Sequence, residues 1–102
     1  MAIELLDPEL AQDTKHEKGW KVVIFNDDVT PYDLVVFAIQ HGAGLSEEVA
    51  EMIAKEAHQT DGAVVKNNLT EEKAEAIAEV IHVLTQAKGR FPGVRVEAQK
   101  DE

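Results

Sequence analysis

The residues best suited to chemistry are three adjacent polar side chains, Asn26, Asp27 and Asp28, which follow the apolar run 22–25. One amide and two carboxylates supply hydrogen-bond acceptors at the end of a predicted strand. Such acceptors suit a cation with several N–H donors, because hydrogen bonds between ionised groups are short and strong. Asn and Asp side chains also stabilise turns by accepting from backbone amides two residues on, so a structural role is equally open. We expect Asn26 and Asp27 to face outward, with Asp28 or Thr30 capping the turn.

His58 is the second candidate. It lies at the C-terminal end of the second predicted helix, where a histidine commonly interacts only with terminal carbonyl groups. If the predicted helical hairpin folds back on the first strand, His58 comes to lie opposite Asn26 and Asp27. An amide, a carboxylate and an imidazole around one small volume can bind an ammonium or a metal, or take part in acid–base chemistry.

Metal binding and catalysis are both disfavoured by the rest of the sequence. The other three histidines lack the spacing that a metal site requires. An activated nucleophile is also missing, because the chain has no cysteine and Ser46 lies in no nucleophile-elbow motif. We therefore predict no metal, no cofactor and no enzymatic activity. A hydrolase or isomerase that uses Asp27 and His58 is the remaining catalytic alternative.

The elements that must position these residues follow the order strand, helix, helix, strand, helix, strand. Residues 20–25 are rich in β-branched and aromatic side chains and predict the first strand, and 63–65 predict a brief second one. Alternation over 94–98 predicts a third strand with one wet face. We expect an α+β fold, a small two-layer α/β sandwich in which a three-stranded sheet packs on three helices.

Three hydroxyl side chains mark the starts of the helices. Thr30, which precedes Pro31 at the first helical position, and then Ser46 and Thr70, can each accept from free helix amides. Apolar side chains at helical spacing predict the buried stripes. These are Tyr32, Val35, Val36 and Ile39 in the first helix, Val49, Met52, Ile53 and Ala57 in the second, and Ala74, Ile77, Ala78, Ile81 and Leu84 in the third.

The composition limits the class of partner. A chain of 102 residues with 44% apolar residues suffices for one modest core. Its 20 acidic and 10 basic residues give a net charge of −10, which opposes binding to nucleic acid or to an anionic membrane and favours a monomer. No apolar run approaches the roughly 20 residues of a transmembrane helix, and the N-terminus lacks a secretory signal. With no cysteine, we expect a cytoplasmic protein.

The chain divides into three predicted parts. Residues 1–19 mix charged groups with few large apolar side chains and contain the breakers Pro8 and Gly19, so we expect a flexible arm that cannot repay its ordering entropy. Residues 20–98 form the core domain, and 99–102 form a disordered tail.

A longer pattern extends over the core domain. It consists of the strand followed by Asn26-Asp27-Asp28, one further residue and Thr30-Pro31, then His58, the apolar strand 63–65, and Pro92 before a final strand. This pattern resembles the ClpS family, adaptors of the Clp protease that bind proteins with a bulky hydrophobic first residue and pass them to a AAA+ unfoldase. The segment before Trp20 is similar to the family's mobile N-terminal extension, which acts on the unfoldase.

The resemblance implies an adaptor for N-degrons, which are proteins with a free α-amino group and a bulky hydrophobic first residue. In this interpretation Asn26, Asp27 and His58 hold the α-amino group, whose three donors match an amide oxygen, a carboxylate and a neutral imidazole. Glu72 occupies an acidic position that contacts the N-terminal domain of the AAA+ Clp unfoldase. The first side chain of the substrate enters a pocket lined by Thr30, Pro31, Tyr32, Val35, Ala54, Ala57 and Val94.

Four positions depart from the family pattern. Tyr32 stands where the family often has a methionine that gates the pocket, and Ala54 stands at the position of a second pocket methionine. Asp61 replaces a glycine, which shifts the expected entry into the second strand, and Ile77 falls where a lysine can occur. The sequence therefore leaves open both the preferred first residue and the particular unfoldase.

The main alternative is a protein-interaction module of the same small sandwich that does not read N-termini. The stretch 44–70 has a glycine and capped-helix pattern similar to that of the C-terminal domain of the ribosomal stalk protein. The polar triplet before Thr30-Pro31 argues against this alternative. A module of this kind should ignore N-acetylation of a peptide partner, whereas an N-degron adaptor should not.

Overall fold

The protein folds as three helices against a three-stranded sheet. The computed structural model describes residues 18–25 and 27–101. The elements are β1 (Lys18–Ile24), α1 (Tyr32–Ala43), α2 (Glu47–Thr60), β2 (Ala63–Thr70), α3 (Glu71–Gln86) and β3 (Val96–Lys100). This order confirms the predicted α+β sandwich. None of the described helices is long and apolar enough to cross a membrane.

Strand β1 is the centre of the sheet. The strand order is β2-β1-β3, and both pairings are antiparallel. Ile24, at the end of β1, lies opposite Ala63 of β2 and Val96 of β3, and its side chain is fully buried. Both neighbouring strands therefore fix the backbone at the point where the polar cluster begins.

Helix α1 packs against both other helices. Its contact with α3 is close at Gly42, where an added Cβ atom would lie 2.6 Å from Cγ1 of the fully buried Ile81. Gly42 lies within α1, which ends at Ala43. Gly44 follows as the C-cap, in the left-handed conformation with φ 69°. Because α1 is held on both sides, its first turn has a fixed position above the end of β1.

The cap of α1 differs from the prediction. Pro31, not Thr30, is the N-cap, and its carbonyl oxygen accepts from the amides of Leu34 and Val35, both at 3.1 Å. Thr30 is instead used one step earlier, in the turn before the helix. The other two predicted caps are confirmed, because the hydroxyl of Ser46 accepts from the third amide of α2 and that of Thr70 from the third amide of α3.

The buried face of α2 is made mainly of alanines. Its buried residues are Ala50, Ile53, Ala54 and Ala57. Val49 is 41% exposed and Met52 is 69% exposed, so their assignment to the core was wrong. Val49 and Met52 lie beside the buried edge of this helix, whose small alanines let it approach its neighbours closely. Tyr32 of α1 is also 45% exposed, and Thr85 rather than Leu84 is the last fully buried residue of α3.

The ends of the strands also differ from the prediction. Residues 18–19 belong to β1 rather than to the arm, β2 continues to Thr70, and β3 includes residues 99–100 of the predicted tail. Pairing with β1 explains each extension, because Lys18 lies opposite Thr70 and Trp20 lies opposite Lys100. The rest of the predicted arm, residues 1–17, and the last residue of the chain lie outside the described residues.

Candidate functional site

A pocket of about 300 Å³ opens where the end of β1 meets the first turn of α1 and the last turns of α2. Its polar side includes Asp27, Asp28 and His58, and most of the remaining lining is apolar. The full lining is Ile24, Phe25, Asp27, Asp28, Thr30, Tyr32, Val35, Ala54, Ala57, His58 and Val94. One cavity therefore combines charged acceptors with space for an apolar group.

Asp27 organises the turn between β1 and α1. Its Oδ1 accepts from the amide of Val29 at 2.6 Å and from the amide of Thr30 at 3.3 Å, and its Oδ2 accepts from Oγ1 of Thr30 at 2.7 Å. The prediction assigned this turn to Asp28 or Thr30, whereas Asp27 itself accepts from the turn amides. A carboxylate has about four acceptor positions, so these three bonds fix Asp27 and leave its Oδ2 able to accept once more.

The same contacts keep Asp27 ionised. Partial burial of the Asp27 carboxyl by itself raises its pKa, but the bonds from the Thr30 hydroxyl and from the Val29 and Thr30 amides outweigh this effect. The pKa of Asp27 therefore lies below the usual value for an aspartate. The pocket holds a negative charge at neutral pH.

The effect of the Thr30 hydroxyl can be measured by replacing Thr30 with valine. The change removes the 2.7 Å donor, so the pKa of Asp27 should rise. Because the folded-state pKa is the lower one, ionised Asp27 stabilises the fold fully above the unfolded-state pKa of about 3.9, and this contribution is lost as the pH falls through the folded-state pKa. In Thr30→Val that contribution should be smaller.

An NMR titration of the Asp27 carboxyl carbon reports the pKa directly. Thr30→Ser, which keeps a hydroxyl, should retain the lowered pKa and serves as the control. An unchanged pKa in Thr30→Val would mean that the two backbone amides alone hold Asp27 ionised.

His58 completes the polar side of the pocket. It lies in the last turn of α2, and its side chain is exposed. Its ring nitrogens form no hydrogen bond with the residues that the structure describes. The imidazole can therefore offer a lone pair to a donor that enters the pocket.

Tyr32 lies at the rim, between α1 and α2. Its hydroxyl donates to the backbone carbonyl oxygen of Glu51 at 3.3 Å, which joins the start of α1 to α2. Below it, Ala54 and Ala57 are buried on the face of α2 that lines the pocket. Because both are small, they leave depth in the cavity that larger residues would fill.

The comparison with known proteins gives the family. A sequence model of the family described as ATP-dependent Clp protease adaptor protein ClpS matches residues 15–96. The chain belongs to the ClpS family. The family consists of adaptors of the ATP-dependent Clp protease, and the resemblance drawn from the sequence is confirmed at this level.

A solved ClpS structure shares this fold. Agrobacterium tumefaciens ClpS2, bound to L-phenylalaninamide, matches over 83% of this chain and 99% of its own length. The TM-score is 0.69 and the sequence identity is 25%. The match extends over nearly the whole of the solved protein.

Most of the residues predicted for a ClpS site lie in one cavity. Asp27, Thr30, Tyr32, Val35, Ala54, Ala57, His58 and Val94 all line the pocket. Pro31 does not line it and serves as the N-cap of α1. Glu72 is exposed in the first turn of α3, outside the pocket lining, and Asn26 lies outside the described residues.

Three lining residues were missing from the predicted pocket. Asp28 was left to the turn, and Ile24 and Phe25 were assigned only to the strand. Val22 and Ile24 are the fully buried residues of β1 and lie on the same face of the strand. Ile24 is the last of them, so alternation along the strand places it beside the pocket at the strand end. Phe25 lies next to Ile24, and its ring lies beneath the Arg95 guanidinium, 4.2 Å from the ring centroid. Across residues 18–25 and 27–101 no group of three His, Asp or Glu side chains is arranged to hold a metal.

Proposed function

We propose that this adaptor binds N-degrons and delivers the proteins that carry them to a AAA+ Clp unfoldase for degradation. The observation that carries the proposal is a pocket of about 300 Å³ in which an ionised, fixed carboxylate adjoins apolar walls. A free α-amino group and a large apolar side chain on the same carbon atom would use both halves at once.

The polar half suits an α-ammonium group. Such a group has three donors, and the proposed acceptors are Asp27, His58 and the amide oxygen of Asn26. Hydrogen bonds to charged groups contribute about 1.5–3 kcal/mol each. Asp28 lines the same cavity and adds negative charge beside the proposed ammonium position. Acetylation of the amine would remove both the charge and two of the donors.

The apolar half suits a bulky first side chain. Val35, Ala54, Ala57 and Val94 supply walls without charge, and Tyr32 borders the entrance. Burying a Leu or Phe side chain contributes about 1.5–3 kcal/mol. Together with the amine contacts, and after the costs of ordering a peptide, this is compatible with roughly micromolar affinity, which permits release to an unfoldase.

The ligand of the solved relative supports the same assignment. L-phenylalaninamide carries a free α-amino group, a benzyl side chain and an amide in place of the carboxylate, as does the first residue of a protein that begins with phenylalanine. The family also supports delivery. Glu72, proposed to contact the unfoldase N-terminal domain, is exposed outside the pocket lining, so a substrate and the unfoldase can be bound together. We further propose that the adaptor is a cytoplasmic monomer.

Fluorescence anisotropy of labelled peptides tests this function. Peptides that begin with Leu, Phe, Trp, Tyr, Ile or Ser are each compared with an N-acetylated twin. We expect binding of free peptides with bulky first residues and none of the acetylated twins or of the Ser peptide. Adding the unfoldase N-terminal domain to a preformed complex should raise the anisotropy further. Equal binding of free and acetylated peptides would instead support the stalk-like interaction module.

A further inference from the structure

Val94 is an apolar wall of the pocket that no helix or strand supplies. It lies in the connection between α3 and β3, yet it is 1% exposed and lines the pocket. Both backbone groups of Val94 are buried outside regular structure, and side chains of α3 provide their hydrogen-bond partners.

Thr85 is the first of these side chains. It is fully buried on α3, and its Oγ1 accepts from the amide of Val94 at 2.9 Å. The same hydroxyl can donate to the carbonyl oxygen of Ile81 at 3.0 Å or to that of His82 at 2.9 Å. Thr85 therefore satisfies the Val94 amide while its own proton remains paired within α3.

His82 holds the other side of the same peptide segment. Its Nδ1 lies 3.0 Å from the carbonyl oxygen of Val94, and the tautomer with a proton on Nδ1 donates to it. The backbone of Gly93 lies directly on the His82 ring, because an added Cβ atom at Gly93 would be 2.7 Å from Cε1 of His82. Gly93 also has a φ of +94°, a conformation that suits glycine.

The next residue is fixed to the sheet. The carbonyl oxygen of Arg95 accepts from the amide of Phe25 at 3.0 Å, at the end of β1. Val94 is thus held from α3 by two side chains and from β1 by the backbone of its neighbour. The proposed amine acceptors lie on different elements, with Asp27 before α1 and His58 in α2.

We propose that Thr85 and His82 are positioning residues that set the size selectivity of the pocket by holding Val94 against the first side chain of the substrate. This inference rests on the proposed N-degron function. If the Val94 amide loses its partner, the connection can relax and the wall recedes. A medium-sized side chain such as Leu would then lose its contact with Val94, whereas the larger Trp would still reach it. The discrimination against an acetylated amine would not change.

The test compares Thr85→Val with Thr85→Ser in the full chain, using free and acetylated peptides that begin with Leu or Trp. In Thr85→Val the affinity for the Leu peptide should fall about tenfold and that for the Trp peptide by less than about threefold. Thr85→Ser should bind as the unchanged protein does. Val83→Ala, at an exposed position of the same helix, is the matched control. His82→Ala, at a half-buried position, is the second variant and should show the same selective loss.

The outcomes separate the positioning role from a general loss of structure. A loss of equal size for Leu and Trp peptides in both variants, or no loss in either, would overturn the positioning role while leaving the proposed function intact. If the unchanged protein binds none of the free peptides, the proposed function itself fails, and this inference fails with it. A selective loss of Leu binding that Thr85→Ser does not share would establish it.

Discussion

Replacing Asp27 with asparagine should weaken binding of a peptide with a free, bulky first residue by about 10- to 150-fold, the equivalent of the about 1.5–3 kcal/mol of a charge-assisted hydrogen bond. Asparagine is nearly isosteric with aspartate. Its amide oxygen can still accept from the amides of Val29 and Thr30, and its NH₂ group can donate to the Thr30 hydroxyl. The turn should therefore survive while the negative charge at the proposed ammonium site is lost.

Asp33→Asn is the matched control for Asp27→Asn. It removes one carboxylate in the first turn of α1 that does not line the pocket. If the weaker binding of Asp27→Asn came only from a less negative protein, Asp33→Asn would show it as well. Binding measured by anisotropy, with thermal unfolding as the check on the fold, should be unaffected in the control. Unchanged affinity in Asp27→Asn would remove Asp27 from the amine site and leave Asp28 as the other carboxylate of the described pocket lining.

The fold could be predicted from the sequence because local signals agreed with tertiary packing. The strand over 20–25, the caps Ser46 and Thr70 and the apolar spacing of α3 each indicated the element that forms. The prediction failed in part at α2, where the buried edge consists mainly of alanines, which carry little hydropathy signal. It also failed at the strand ends, because the lengths of β1 and β3 depend on their pairing partners and not on their own residues.

The site was predicted less completely than the fold. The residue types around Asp27 and His58, together with the resemblance to the ClpS family, indicated which groups share a cavity, but not which group stabilises the turn. Asp27 rather than Thr30 stabilises the turn, because a carboxylate that can reach two amides and a hydroxyl is satisfied more fully there than a helix-capping threonine would be. The contact of Thr85 with Val94 joins residues nine positions apart through a connection without regular structure, and no periodic pattern marks it.

The second large effect is expected at Ala54. Replacing it with methionine should weaken binding of a peptide that begins with Trp by about 5- to 150-fold, which corresponds to the about 1–3 kcal/mol cost of overpacking. Ala54 is 4% exposed on the pocket side of α2, so a longer side chain has only the cavity of about 300 Å³ to enter. Methionine is unbranched and favours helices, so α2 should be preserved. A Leu peptide, which needs less depth, should lose less than about threefold.

Ala76→Met, at an exposed position of α3, controls for the added side chain and should leave both affinities unchanged. Undiminished Trp binding in Ala54→Met would show that the first side chain does not reach α2, and an equal loss for Leu would show that the entrance rather than the depth is blocked. The expected selectivity is the reverse of that for Thr85→Val, because one variant fills the cavity from α2 and the other lets the opposite wall recede. Opposite shifts in the ratio of Leu to Trp affinity, measured with the same two peptides, would locate the bound side chain between Ala54 and Val94.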